Sequence, residues 1–342
     1  MEKISIITIC YNSERTISQT LNSINNQKYK NYEHIIIDGG SSDNTLNLIN
    51  KANIYLSISA LFFGLIFIDL YGVIGKSLGV YYSTPQLTVF RNLFALIPIL
   101  GLAALTKQLS VLFKKVSSRL LYLCLLRGIC FLSVQVFYFI SIINMDFAIA
   151  TTLAFSSPIF IILLSVILLR ENVGIYRWTA VAIGFLGVIL IMKPNSDIFN
   201  IYAVFPLICA LSWAASTVIL KFIPKDSSVL KINFYTLVFS VIGSIILLVS
   251  SSNYTYIQNN QHLSLLMLMG ILGGLASILF IFAYRTTSPS ILAPFEYIGI
   301  PSSILLGWIF FSEKPFGQLF PGALLIILAG LIIIWRENKL KA

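Results

Sequence analysis

From Ile54 onward the chain is a succession of apolar runs, each long enough to cross a hydrocarbon core of about 30 Å, which takes about 20 helical residues at 1.5 Å each. A hydrophobic fraction of 57% against a charged fraction of 11%, with a mean hydropathy of +0.89, means that lipid rather than water solvates most of it. A backbone in lipid must satisfy its own polar groups, and a helix does so within one segment. The runs therefore read as ten transmembrane helices, over 53–75, 85–105, 119–142, 147–169, 175–193, 199–220, 229–250, 263–284, 289–311 and 317–335. The fold class expected is an all-α, multi-pass membrane protein.

The net charge of +10 is spread through short loops instead of gathered on one patch, which argues against nucleic acid and for a topology signal. With the N-terminus inside, the cytoplasmic loops receive Lys107, Lys114, Lys115 and Arg119, then Arg170 and Arg177, then Lys221, Lys225 and Lys231, then Arg285, and lastly Arg336, Lys339 and Lys341. The far side receives Lys76, Lys193 and Lys314. Both termini are thus expected in the cytoplasm, with the bundle in the inner (plasma) membrane. Residues 1–51 differ in character: they are rich in Asn, Ser and Asp, and lack the basic start and apolar core of a signal peptide. Cys10 falls in an expected strand and Cys124, Cys130 and Cys209 fall in apolar helices, with no CxxC pair. No metal and no cofactor are expected.

The chain repeats itself at an offset of 143 residues, which pairs Pro158 with Pro301, Gly174 with Gly317 and Gly187 with Gly330. A unit of five spans is odd, so the second copy enters the membrane upside down relative to the first. Two inverted five-helix repeats, residues 52–194 and 195–342, are the architecture that lets a substrate site face the two sides in turn.

Three stretches carry a family resemblance: "DLYGVIGKSLG" with "TPQLTVFRNLFAL", the run from "LRGICFLSVQVFYFISIINMDFAIATTLAFSSPIF" to "LLREN", and "SILAPFEYIGIPSSILLGWIFFSEKP". In them the last 290 residues resemble the drug/metabolite transporter superfamily, and specifically its ten-span EamA-type members. The pattern of Asp69, Lys76, Gln86 and Arg91 is similar to members assigned to metabolite uptake, S-adenosylmethionine among them. The resemblance implies a secondary transporter of a small amino-acid-like or nucleoside-like metabolite, not an enzyme.

Residues 1–51 resemble a different family, the start of a family 2 glycosyltransferase, through "ISIITICYNSE" and "RTISQTLNSINNQKYKNYEHIIIDGGSSDNT", with Asp38 matching the aspartate that contacts the nucleobase. The alternative this implies is a membrane-anchored glycosyltransferase. That chemistry needs a DxD motif to hold a divalent cation against the sugar-nucleotide diphosphate, and none of the Asp residues forms one. Two parallel strands and one crossover helix also leave sheet faces and edges bare. The segment is expected to be an incomplete α/β fragment, poorly ordered or only partly packed.

A charge at mid-helix in lipid costs about 2.5–3.5 kcal/mol on insertion scales. Asp69, Arg91, Arg127 and Glu296 each call for a reason. Counted along the spans, Asp69 and Arg91 lie about 9 Å deep on the outer side, and Arg127 and Glu296 about 12 Å deep on the cytoplasmic side. The functional reading has these groups line a water-filled cavity, with the carboxylates taking a cation or a proton and the arginines an anionic substrate group. The structural reading pairs Asp69 with Arg91 and Arg127 with Glu296 to fix register, or lets the arginines reach for headgroups. Tyr138, Phe155, Trp213, Tyr284, Phe295 and Tyr297 could wall the cavity or only pack. Pro158, Pro294 and Pro301 should break spans 4 and 9 beside the path. Lys76 is expected to snorkel, and Glu171 and Glu313 to be exposed helix terminators.

Overall fold

The computed structural model describes residues 4–27, 29, 32–113, 116–170, 174–192, 201–224, 226–314 and 316–329. It opens with β1 (Ile4–Cys10), α1 (Ile17–Asn25) and β2 (Tyr32–Asp38), the two strands parallel and in register from Ile4 opposite Tyr32 to Cys10 opposite Asp38. Ile9 is 77% exposed, and Ile4, Ile7, Ile35 and Ile37 are exposed with it, so the sheet is only partly packed, as its missing neighbours require. The loops at the strand ends are nonetheless cross-linked. Asn12 Oδ1 accepts from the Ser42 amide at 2.9 Å, and the Glu14 amide donates to Asp43 at 3.0 Å.

The next helix, α2 (Thr45–Leu78), runs without interruption through the change of composition near Lys51. Its 34 residues correspond to about 50 Å of helix, and they join the fragment to the first apolar run by continuous helix. Beyond it come α3 (Thr84–Leu105), the short α4 (Leu109–Phe113), α5 (Ser118–Asn144), α6 (Phe147–Ala154), α7 (Ser157–Leu169) and α8 (Ile175–Met192). The second half holds α9 (Val204–Ile219), α10 (Val229–Ser251), α11 (Asn260–Thr286), α12 (Pro289–Leu292), α13 (Gly299–Phe311) and α14 (Phe316–Leu319). Side chains cap several of the long helices: Ser117, Ser228 and Asn259 accept from the amides of Leu120, Lys231 and His262, satisfying donors that the helix itself leaves open.

Seven stretches among the described residues are long and apolar enough to cross a membrane, and 178–191 and 295–311 are shorter apolar helices. The tenth expected span begins in α14 and is helical again over 322–329, and 330–335 lies outside the described residues. Spans 4 and 9 are both broken, at matching places. In the first, α6 stops at Ala154 and α7 restarts with Pro158 in its first turn. In the second, α12 gives way to a 3-10 segment (Ala293–Ile298) that holds Pro294, and α13 follows with Pro301 in its first turn. The breaks touch: a Cβ at Gly299 would overlap the Phe155 ring. Only glycine admits that approach.

Two expectations fail here. Glu313 is not an exposed terminator, since its side chain is 7% exposed and its Oε1 lies 2.9 Å from Lys76 Nζ. It also accepts from the Phe147 amide at 2.7 Å and the Ala148 amide at 3.1 Å, which puts it over the N-terminus of α6. Lys76 therefore does not snorkel, and its remaining reach is taken by the Met145 carbonyl at 2.6 Å. Glu171 lies outside the described residues.

Candidate functional site

The broken spans, together with α2, α3, α5, α9 and α11, close around one cavity of about 720 Å³ of empty space, solvent at its mouth included. Helical spacing decides which side chains reach it. On α5, Phe131, Gln135 and Tyr138 recur at intervals of four and three residues, one face of the helix. On α11, Gly273, Ala276, Ser277 and Phe280 do the same, and the small residues let α3 come close enough to lay the Arg91 guanidinium on Gly273. Span 1 supplies Asp69 and Tyr71, α9 supplies Cys209 and Trp213, and the breaks supply Phe155, Ser157 and Glu296.

Glu296 is the best-ordered polar group of the cavity. Its Oε1 accepts from Trp213 Nε1 at 2.8 Å and from the Tyr284 hydroxyl at 2.5 Å, and its Oε2 accepts from Ser157 Oγ at 2.7 Å. The donors come from α9, α11 and the first turn of α7, so one carboxylate ties three elements of both halves to the break in span 9. All three are neutral. Asp69 behaves otherwise: Oδ2 accepts from Ser302 Oγ, while Oδ1 is buried without a hydrogen-bond partner.

The expected charge pairs do not form. Arg91 donates through Nη1 to Asn92 Oδ1 and through Nη2 to the Gly273 carbonyl, both at 3.1 Å, and lies over the Phe131 and Tyr71 rings at 5.0 and 5.4 Å. Arg127 sits over the other side of the same problem: it is buried, 5.7 Å from the Phe131 ring, with Nε and Nη1 unpartnered, and outside the cavity wall. Counting residues along a span yields depth, but a pair also needs matching azimuth, and that is set by how each helix is rotated. Asp69 and Arg91 should therefore contribute independently. In detergent melting experiments, Asp69→Asn combined with Arg91→Gln is expected to sum the two single losses; recovery by the double variant would show that the charges do compensate each other.

Of the other expected residues, Tyr138, Phe155 and Trp213 line the cavity, and Tyr284 stands behind it as a donor to Glu296. Tyr297 is buried in the apolar core, and Phe295 packs partly buried against it. Gln135, Ser157 and Ser302 were not singled out from sequence. A polar mid-span residue such as Gln135 could have been found by asking of every buried amide what was asked of the charges. Ser302 could not, because its role depends on Asp69, 233 residues away. Among the described residues no His, Cys, Asp and Glu side chains gather as a metal site.

Membrane-crossing helices packed around a cavity that opens to solvent, mostly apolar in its wall but with Asp69, Arg91 and Glu296 on it, define a multi-pass membrane protein of the transporter type. The chain belongs to the EamA-like transporter family, whose model matches residues 50–193 and again 200–335. Residues 5–59 match the model of glycosyl transferase family 2. The chain is 29% identical over 190 residues to an S-adenosylmethionine uptake transporter of Rickettsia bellii, a match covering 56% of this chain and 64% of that protein. It is 34% identical over 192 residues to a riboflavin transporter of Rhizobium johnstonii, covering 56% and 62%. With a pseudopaline exporter of Pseudomonas aeruginosa it shares 30% identity over 216 residues, covering 63% and 75%. The matched stretch thus spans less than two thirds of the first two relatives. A solved crystal structure superposes with a TM-score of 0.63 at 16% identity, covering 84% of this chain and 99% of the other, and so shares its fold.

Proposed function

We propose that this protein is a secondary transporter that carries a small amino-acid-like or nucleoside-like metabolite across the inner membrane by alternating access, coupled to protons through Glu296. The observation that carries the reading is the position of that carboxylate. It lines the cavity, sits at the break of span 9, and is balanced by neutral donors alone. A proton or cation arriving there neutralises an otherwise uncompensated buried charge, and the break gives the backbone somewhere to move.

Ten spans in two inverted five-helix repeats, over 52–194 and 195–342 and with both termini cytoplasmic, suit this mechanism. The matching breaks support the repeat. So does a second likeness: Lys76, ending span 1, donates to the carbonyl of Met145 ahead of span 4, and Lys221, following span 6, donates to that of Thr287 ahead of span 9. Relatives named for uptake and for export leave the direction to experiment, and S-adenosylmethionine and riboflavin are the first compounds to try.

The glycosyltransferase alternative is disfavoured by the N-terminal fragment itself. Asp38 is occupied by its own turn: Oδ2 accepts from the amides of Gly40 and Ser41 at 3.1 and 2.9 Å, and Oδ1 from Ser41 Oγ at 2.5 Å. The Ser41 hydroxyl, then its amide, holds this carboxyl below the ordinary aspartate range. One set of liposomes containing either the full chain or residues 45–342 tests the whole reading. Both forms are expected to accumulate the same metabolite under a proton gradient, neither to turn over sugar nucleotides with Mn²⁺, and a tag at Lys107 to be accessible on the side of the C-terminus. Sugar transfer by the full chain would sink the transporter-only reading; tags on opposite sides would sink the ten-span one.

A further inference from the structure

The cavity wall holds polar atoms that are buried and have no hydrogen-bond partner: Asp69 Oδ1, Arg91 Nε, the Tyr138 hydroxyl, and both the oxygen and the nitrogen of the Gln135 amide. Gln135 is the most informative. Buried side-chain amides normally find partners, because an unmet donor or acceptor keeps its full desolvation penalty, and here one residue leaves both unmet on the face that looks into an empty space. It lies one helical turn from Phe131 and from Tyr138, so the amide is flanked by two rings. Tyr71, edge-to-face with Tyr138 at 5.9 Å, and the pair Trp213 and Phe280, 4.9 Å apart, also line the space.

An amide presents a donor and an acceptor side by side in one plane. Its complement is a planar edge with an acceptor beside a donor, as glutamine reads the amino edge of adenine. Aromatic walls favour the faces of the same ring by stacking. A sugar offers tetrahedral hydroxyls, and a simple amino acid an ammonium beside an acceptor-only carboxylate; these can meet Asp69 Oδ1 but present no donor and acceptor in one plane to the amide, and they leave the rings idle. We propose that the cavity receives a planar nitrogen heterocycle, of the aminopurine or isoalloxazine kind, whose adjacent donor and acceptor pair with Gln135, while Asp69 takes a hydroxyl or ammonium on its substituent. This names a substrate class for the transporter reading above and rests on it.

Binding to the detergent-solubilised full chain tests it with two matched pairs: adenosine against N6,N6-dimethyladenosine, and lumiflavin against 3-methyllumiflavin. In each pair methylation removes the donor from the edge and keeps the ring. At least one parent is expected to bind, with its methylated partner weaker by about tenfold to a hundredfold, the discrimination a bidentate pair supplies. Gln135→Leu should bring that ratio close to one. Equal binding of parent and methylated compound overturns the proposal, as does a ratio that survives Gln135→Leu. Failure of both parents to bind, with proton-driven transport of a ring-free amino acid intact, overturns it and leaves the transporter reading standing. Should Gln135→Leu not fold, the wild-type ratio still decides, and Gln135→Asn, which withdraws the amide by one methylene, is read for the same loss.

Discussion

Glu296→Gln is expected to abolish accumulation driven by a pH gradient while leaving insertion and downhill exchange intact. The substitution is close to isosteric, and the surrounding donors can accept it. Trp213 and Tyr284 can still donate to the amide oxygen, and the Ser157 hydroxyl can turn to accept from the amide nitrogen. What disappears is the group that can gain and lose a proton. A proton gradient drives transport only if a proton is bound on one side and released on the other during the cycle, and a side chain that never titrates cannot carry it. Glu296→Asp keeps the proton but shortens the reach to three donors, so partial accumulation should remain. Glu296→Ala would be less informative, because each hydrogen bond to a charged group is worth about 1.5–3 kcal/mol and the variant gives up three. Uptake in proteoliposomes with and without an imposed gradient decides the matter: wild-type accumulation by Glu296→Gln would remove this carboxylate from the coupling mechanism and leave it a structural one.

The largest loss of stability from a single polar substitution should come at Glu313. Its carboxylate binds Lys76 and covers two amides of the first turn of α6, a helix whose own N-cap, Asp146, makes no side-chain cap. Glu313→Ala leaves the Lys76 ammonium, 17% exposed, without its anion and two amides without acceptors. Breaking such a pair from one side costs about 3–5 kcal/mol. Lys76→Met should cost less, since methionine keeps the stem against Phe311 and Glu313 still caps the helix. The cycle formed by Lys76→Met, Glu313→Gln and their combination should show the double variant less destabilised than the sum of the singles, by about 1–2 kcal/mol for residues in direct contact. Melting in detergent reads both effects. Strict additivity would mean that the two charges, 237 residues apart, meet without stabilising each other, and that the end of span 1 is not tied to the end of span 9 by them.

Much of this architecture could be read along the chain, and the reasons are local. Hydrocarbon thickness sets the length of an apolar run, so the long spans stand out whatever their neighbours do. Pro158 and Pro301 remove backbone donors, which favours a break near them, and the breaks of spans 4 and 9 fall there, although α3 runs unbroken through Pro98. Asp69, Arg91 and Glu296 declared themselves because a charge in an apolar helix is costly anywhere, and all three face the cavity. Arg127 declared itself for the same reason yet lies elsewhere, so cost alone marks a residue without saying where it points.

The sequence by itself determined the solvent of the chain, the family to which it belongs, two of the places where helices are prone to break, and the charges that need an explanation. Each follows from a residue and its near neighbours, within the reach of helix geometry and transfer free energy. Tertiary structure alone decided who partners whom. Glu296 is held by Trp213, Tyr284 and Ser157 instead of Arg127, Asp69 by Ser302 instead of Arg91, and Glu313 is drawn from an expected exposed turn onto Lys76 and the end of α6. Partnership depends on the rotation of each helix about its axis and on which helices are neighbours. Both are fixed by packing summed over the whole bundle, and no single segment carries that information.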